Sequence, residues 1–306
     1  MLRGLVMAAL TILVWSLTFV NTKALLESFS AMEINFVRFL VAYLVLWILH
    51  PKCEKRLPWR EEARLALMGL SGVAVYQIFE NCAIHYTNAS NVAILVSLAP
   101  ISTALFVHFF AKRKTLSARF FAGCVIAVVG VALVSLNGIQ ALHFNPAGDL
   151  LALGAVLCWS CYSLMVEEQA GCGRSQLFVV RRMFFWALVI MLPFLLFGLT
   201  GTARVIMDAS MAVRLSPAVN AARFSNAMNC LNLAFLGVLA SAICFVLWNK
   251  ACEALGTTRC TVGLYLMPAV TALCAALFLD EHLTLISAAG AILILLGVFL
   301  SGKKDA

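Results

Sequence analysis

Charge is what this chain has least of. Asp, Glu, Lys and Arg make up only 12% of its 306 residues, against about 25% in soluble domains, while hydrophobic residues reach 63% and mean hydropathy is +0.98. No water-soluble globule hides that much apolar surface. A disulfide or metal framework is also missing. The 11 cysteines lie mostly inside apolar runs, Cys158 and Cys161 make only a Cys-Trp-Ser-Cys, and the flanking histidines do not give zinc-ligand spacing. They read as small packing residues, with no metal and no cofactor expected. Gly297 to Lys303 approaches a phosphate-binding loop, but Lys304 stands where Ser or Thr would hold the metal, so no ATPase is expected. His85, His108, His143 and His282 show no ligand geometry.

Charge-poor apolar runs of roughly 20 residues, the length that crosses about 30 Å of hydrocarbon as a helix, recur along the chain. The predicted spans are 5–26, 32–50, 65–84, 91–111, 118–137, 148–167, 177–199, 230–252, 260–279 and 284–301. The runs are continuously apolar rather than alternating, and unpaired backbone groups in lipid are costly, so the expected fold is an all-α polytopic membrane protein of ten transmembrane helices. The first run lacks a small-residue cleavage site and is expected to stay as an anchor.

Lys and Arg of the short loops set the orientation. Arg3, the cluster Lys52 to Arg64, the cluster Lys112 to Arg119, Arg174, Lys250, Arg259, Lys303 and Lys304 share one side if both termini are cytoplasmic. The opposite short loops carry none. The net charge of +8 is thus juxtamembrane charge facing anionic lipid rather than a nucleic-acid surface.

The chain repeats itself. Trp15-Ser16 recurs as Trp159-Ser160, and Arg38 recurs as Arg182 at the same offset. Asn81 and Asn249 share a second offset with Pro100 and Pro268, and Gly123 with Gly290 and Gly130 with Gly297 share one a residue shorter. The lengthening falls in an insertion at about 200–229, expected on the outer face as a loop with a short helix. Five spans per copy is odd, so the second copy enters the membrane from the opposite side. Two inverted five-helix repeats, 1–140 and 147–302, place a binding site near the midplane and imply transport.

The motifs WSLTF at 15–19 and WSCYS at 159–163, NFVRFL around Arg38, FENCAIHYTNASNVAILVSLAP at 79–100, FLGVLASAICFVLWNKACEALG at 235–256, LYLMPAVTAL at 264–273 and the terminal DEHLT with GAILILLGVFL resemble the drug/metabolite transporter superfamily, specifically its ten-span EamA-type members. The resemblance covers almost the whole chain. One departure is Lys112-Arg113-Lys114 where first repeats often carry a Glu, so only the second copy, at Glu281, keeps that carboxylate. The resemblance implies movement of a small metabolite, commonly export of an amino acid or related compound, across the plasma membrane, with a bacterial inner membrane the expected one. It leaves open the substrate, the driving force and whether the chain pairs as a homodimer.

Polar residues inside spans should face the bundle. Tyr76, Gln77, Glu80 and Asn81 form one helical stripe, and Ser241, Phe245, Trp248 and Asn249 form its repeat equivalent. Both are expected to line the substrate cavity, joined by Trp15, Thr18, Trp159, Tyr162 and Tyr265. Helix packing through buried polar side chains is the bland alternative. Pro100 and Pro268 should bend their helices as hinges or as fixed kinks. Arg38 and Arg182 are either snorkelling anchors or ligands for a substrate carboxylate. Glu80 has Trp248 as its repeat mate, so duplication does not explain it; it suits a proton carrier or a ligand for a substrate amine. Gly69-Leu70-Ser71-Gly72 with His108 gives the weaker reading of an intramembrane serine protease, and close helix packing explains those glycines at least as well. A non-transporting scaffold is the third class, disfavoured by the repeat and the polar stripes.

Overall fold

The computed structural model describes residues 1–51, 57–86, 89–112, 116–135, 145–170, 172–199, 222–278 and 284–302. All regular structure among them is helical. Helices α1 (Leu2–Leu26), α2 (Ala31–Leu49) and α3 (Trp59–Gly69) are followed by a π-helical segment, π1 (Leu70–Ala74), that runs on into α4 (Val75–Tyr86). Then come α5 (Ala89–Val96), α6 (Ala99–Phe109), α7 (Ala118–Ser135), α8 (Pro146–Gln169) and α9 (Gln176–Leu199). The series continues with α10 (Ala227–Ala234), π2 (Phe235–Ile243), α11 (Cys244–Leu255), α12 (Thr257–Gly263), α13 (Leu266–Phe278) and α14 (Leu285–Gly302). Over its described residues, each apolar run of the sequence lies mainly on one of these helices or on consecutive ones. Among the described residues, seven helical stretches are long and apolar enough to cross a membrane, and Leu2–Thr18 is a shorter apolar one. Residues 200–221, which hold most of the insertion, and Glu281 lie outside the described residues.

Local chemistry explains the ends. Ser30 caps α2 by accepting from the Glu33 N–H at 3.2 Å, while the Glu33 carboxylate accepts from the Ser30 N–H at 2.8 Å, a reciprocal box that satisfies two orphan donors. Asn145 caps α8 ahead of Pro146, and Asn226 caps α10. The two prolines expected as hinges or kinks each stand near a helix start. Pro100 stands in the first turn of α6, directly after a break at Ser97 and Leu98, and Pro268 likewise follows a turn at Leu264 and Tyr265. A proline lacks the N–H that a first turn leaves unused, so each proline fits a position just after an interruption of the chain.

Contacts divide the chain into two compact units, Met1–Leu17 with Val75–Gly173 and Leu247–Ala306, and Thr18–Ala74 with Arg174–Val246. In the first unit α8 packs against α4, α5 and α6, and α7 runs antiparallel to α14. That crossing is close because glycines face each other. A Cβ on Gly130 would stand 2.6 Å from the Gly290 carbonyl oxygen, and one on Gly297 would stand 2.6 Å from that of Gly123. Tyr265 is buried beside this crossing in an apolar cluster with Cys124, Ala127, Val131 and Ile294. Gly130→Leu is therefore expected to cost about 3 kcal/mol, the upper part of the usual overpacking range. Unfolding in mixed micelles measures it, and an unchanged midpoint would show that α7 and α14 do not meet there.

In the second unit α2 and α3 pack on α9, and π2 packs on α2. Phe39, Phe184 and Phe245 form its aromatic centre, with ring centroids 5.2 to 6.3 Å apart. A Cβ on Gly237 would meet Val41 at 2.5 Å, and Gly69 lies as close to the α9 backbone at Met183. The Ser71 hydroxyl donates to the Leu67 carbonyl at 2.7 Å, so Gly69 serves helix approach and the Ser71 hydroxyl serves its own helix.

Candidate functional site

The first unit gathers an aromatic cluster from four helices: Trp15 on α1, Tyr76 on α4, Trp159 and Tyr162 on α8, and Trp248 on α11. Trp15 meets Trp159 edge-on at 6.0 Å and Trp248 at 5.2 Å; Trp159 and Trp248 are 6.2 Å apart. Tyr76 lies 5.6 Å and Tyr162 5.3 Å from the Trp159 ring. Trp-Ser pairs put this chemistry on the helices: Ser16 and Ser160 each return their hydroxyl to the carbonyl four residues back, at 2.8 Å, leaving the tryptophans to face inward. Ser160 also bonds Ser102 of α6 at 2.8 Å, and Thr271 of α13 donates to the Ser16 carbonyl at 3.3 Å, so both tryptophans are braced by an interrupted helix.

Two polar pairs edge the cluster. The Tyr76 hydroxyl donates to Glu80 Oε1 at 3.1 Å, one turn along α4. The Tyr162 hydroxyl donates to Asn249 Oδ1 at 2.6 Å. Trp15, Trp159, Tyr162, Trp248 and Asn249 are all buried. Gln77 is half-buried on α4, and the side chain of Asn81 lies outside the described residues.

Thr18, Arg38, Arg182, Ser241 and Phe245 belong to the second unit. Arg38 is buried and donates from Nε to the Ser241 hydroxyl at 3.0 Å, whereas Arg182 donates to Glu62 at 2.7 Å and is partly exposed. Repeat mates thus have different partners. Trp186 also gives its indole N–H to Glu62, at 2.5 Å, while Trp47 and Trp59 are exposed as membrane-interface residues would be. One site escaped the sequence reading. Arg223 donates to both carboxylate oxygens of Glu33, at 3.2 and 3.3 Å, and to the Ser28 carbonyl at 2.9 Å, with its guanidinium 4.7 Å from the Phe29 ring centroid. The capping pattern Ser30-Ala31-Met32-Glu33 is legible in the sequence and flags Glu33; its partner lies within the insertion, where no sequence pattern marks it.

Seven helical stretches of spanning length and composition among the described residues, with a buried aromatic cluster edged by a carboxylate and an amide in the first unit, are the architecture of a multi-pass membrane protein. The chain belongs to the EamA-like transporter family, whose model matches twice, over residues 2–136 and 146–302. It is similar over nearly its whole length to named relatives. A probable amino-acid metabolite efflux pump of Escherichia coli K12 is 26% identical, covering 97% of this chain and 93% of its own. A probable terminal-alkyne amino-acid exporter of Streptantibioticus cattleyicolor is 26% identical, covering 96% and 92%. An uncharacterized transporter of Archaeoglobus fulgidus is also 26% identical, covering 97% and 96%. A crystal structure at 17% identity matches with a TM-score of 0.75 over 97% of this chain and 95% of that one, a likeness of fold. The family is one of transporters, not enzymes, so the protease reading of Ser71 falls away.

Proposed function

We propose that the chain is a secondary carrier exporting an amino acid or a related metabolite across the plasma membrane by alternating access, with ten spans in two inverted repeats, 1–140 and 147–302, and both termini cytoplasmic. The glycine crossing of α7 and α14 carries this reading. Gly123 lies against Gly297 and Gly130 against Gly290. The repeat mates are Gly123 with Gly290 and Gly130 with Gly297, so exchanging the two copies turns each contact into the other. That exchange is what a two-fold axis between inverted copies requires. Three further features recur in register: π1 with π2, the close approach of Gly69 to α9 with that of Gly237 to α2, and the breaks before Pro100 and Pro268. The names of the relatives from E. coli and S. cattleyicolor favour amino-acid export as the activity.

No ATP-binding motif is present, so the driving force is the substrate's own gradient, exchange or protons. Pro100 and Pro268, each behind a break, remain candidate hinges. π1 and π2 are stronger ones, since widened turns weaken the helical ladder, π1 ending where the chain passes from the second unit to the first at Val75 and π2 ending one turn before it does so again at Leu247. Reconstituted protein should show counterflow of at least one labelled L-amino acid, and a reporter fused at Lys303 should read cytoplasmic. No counterflow for any of the twenty, or an external Lys303, would overturn the export reading or the topology respectively.

A further inference from the structure

The aromatic cluster contains more donors than the protein can use. Trp159 Nε1, Trp248 Nε1 and Asn249 Nδ2 are buried, and none has an acceptor among the described residues. Their residues are 7%, 0% and 1% exposed, so bulk water does not serve them. Buried N–H groups without partners are costly, and a folded protein rarely keeps three together unless something outside the chain completes them. The three belong to one neighbourhood. Trp159 and Trp248 are ring neighbours at 6.2 Å, Asn249 follows Trp248, and Tyr162 touches the Trp159 ring at 5.3 Å while its hydroxyl holds Asn249. That hydroxyl occupies Asn249 Oδ1, which leaves the amide's NH2 as the end available to a ligand. The three unpartnered atoms of this neighbourhood are thus all donors.

We infer that Trp159, Trp248 and Asn249 bind the carboxylate of the transported amino acid, a specificity role that rests on the export reading above. A carboxylate offers about four lone-pair sites, enough for three N–H groups. Neutral donors suit a carrier. A bidentate arginine holds a carboxylate tightly, whereas indole and amide N–H groups orient it and let it leave on the far side. The two arginines first suspected of this role have protein acceptors instead, Arg38 on Ser241 and Arg182 on Glu62. Glu80, linked to the cluster through Tyr76, stands at the opposite chemical pole as an acceptor for the amine.

The test uses full-length protein in liposomes. For each L-amino acid that shows counterflow, its decarboxylated amine is added as competitor, and Asn249→Asp and Trp248→Phe are assayed beside wild type at equal inserted amounts. The amine should compete at least tenfold more weakly than the amino acid. Asn249→Asp, which keeps the Tyr162 bond but replaces the NH2 donor with an oxygen, should raise the half-saturating concentration at least tenfold, and Trp248→Phe several-fold. An amine that competes as well as the amino acid, or unchanged half-saturation in Asn249→Asp, would overturn the carboxylate site while leaving export intact. If no amino acid gives counterflow, the export reading fails, and tryptophan fluorescence decides the site alone. Propionate should then shift the wild-type emission where propylamine does not, and should lose that effect in Asn249→Asp; equal responses to both would overturn it.

Discussion

Replacing Arg223 by alanine should cost about 3–5 kcal/mol of stability, the usual penalty for stranding one partner of a buried ion pair. The pair is enclosed: the Arg223 side chain is 8% and the Glu33 side chain 10% exposed, so solvent neither screens the attraction nor takes over the abandoned carboxylate. Glu33 has a second duty in capping α2 through Ser30, and Asn229 of α10 bonds the Arg223 carbonyl at 3.0 Å. The contact therefore joins the start of α2 to the chain entering α10. Glu33→Gln should cost less than Arg223→Ala, because glutamine keeps the cap and one acceptor. Loss of the pair as a unit is milder than loss of one half, so Glu33→Gln combined with Arg223→Gln should recover part of the Arg223→Ala penalty. Unfolding in mixed micelles gives all the values. A cost under about 1 kcal/mol for Arg223→Ala, the range of exposed pairs, would mean that the pair is solvated.

Arg223 also marks where sequence reading stops. Helix placement was legible because a membrane helix must announce itself by about 20 apolar residues, and seven helical stretches among the described residues are long and apolar enough to span. The cluster was legible too, since Trp15 and Trp159 stand at repeat-equivalent places and Asn249 lies one residue past Trp248. What could not be read is anything set by three-dimensional pairing of unlike elements. Nothing in the pattern separates Arg38, which meets a serine on π2, from Arg182, which meets a carboxylate on α3. Widened turns such as π1 and π2 have no compositional mark; Gly69 and Gly237, which lie close to α9 and α2, accompany them. Tyr265 was expected in the cavity because it is aromatic and inside a span. It packs beside the α7 and α14 crossing, a choice made by the space the glycines leave.

Glu80→Gln should insert and fold normally yet reduce transport at least about tenfold, the loss that follows from one charge-assisted hydrogen bond of about 1.5–3 kcal/mol to a substrate amine. The variant is isosteric. It keeps an acceptor for the Tyr76 hydroxyl, so the α4 contact that positions the side chain survives and the change is confined to charge. Symmetry sharpens the case. Under the repeat the mate of Glu80 is Trp248 and that of Tyr76 is Cys244, so the second copy has no equivalent pair, and one carboxylate edges a cluster otherwise built of rings and an amide. A charge placed there by no duplication, and costly to hold inside an apolar bundle, needs a use that only charge provides. Tyr76→Phe separates positioning from charge: it removes the phenol bond but leaves the carboxylate, and should lower flux by no more than about fivefold, the share of a neutral hydrogen bond near 1 kcal/mol. Initial rates across a range of external pH, from equal amounts of inserted protein, measure both variants. If Glu80 handles protons, the Gln variant loses the pH dependence of the wild type as well as rate; if it holds the amine alone, rate falls at every pH. Wild-type flux and pH profile in the Gln variant would exclude both roles and leave Glu80 as a packing residue held by Tyr76.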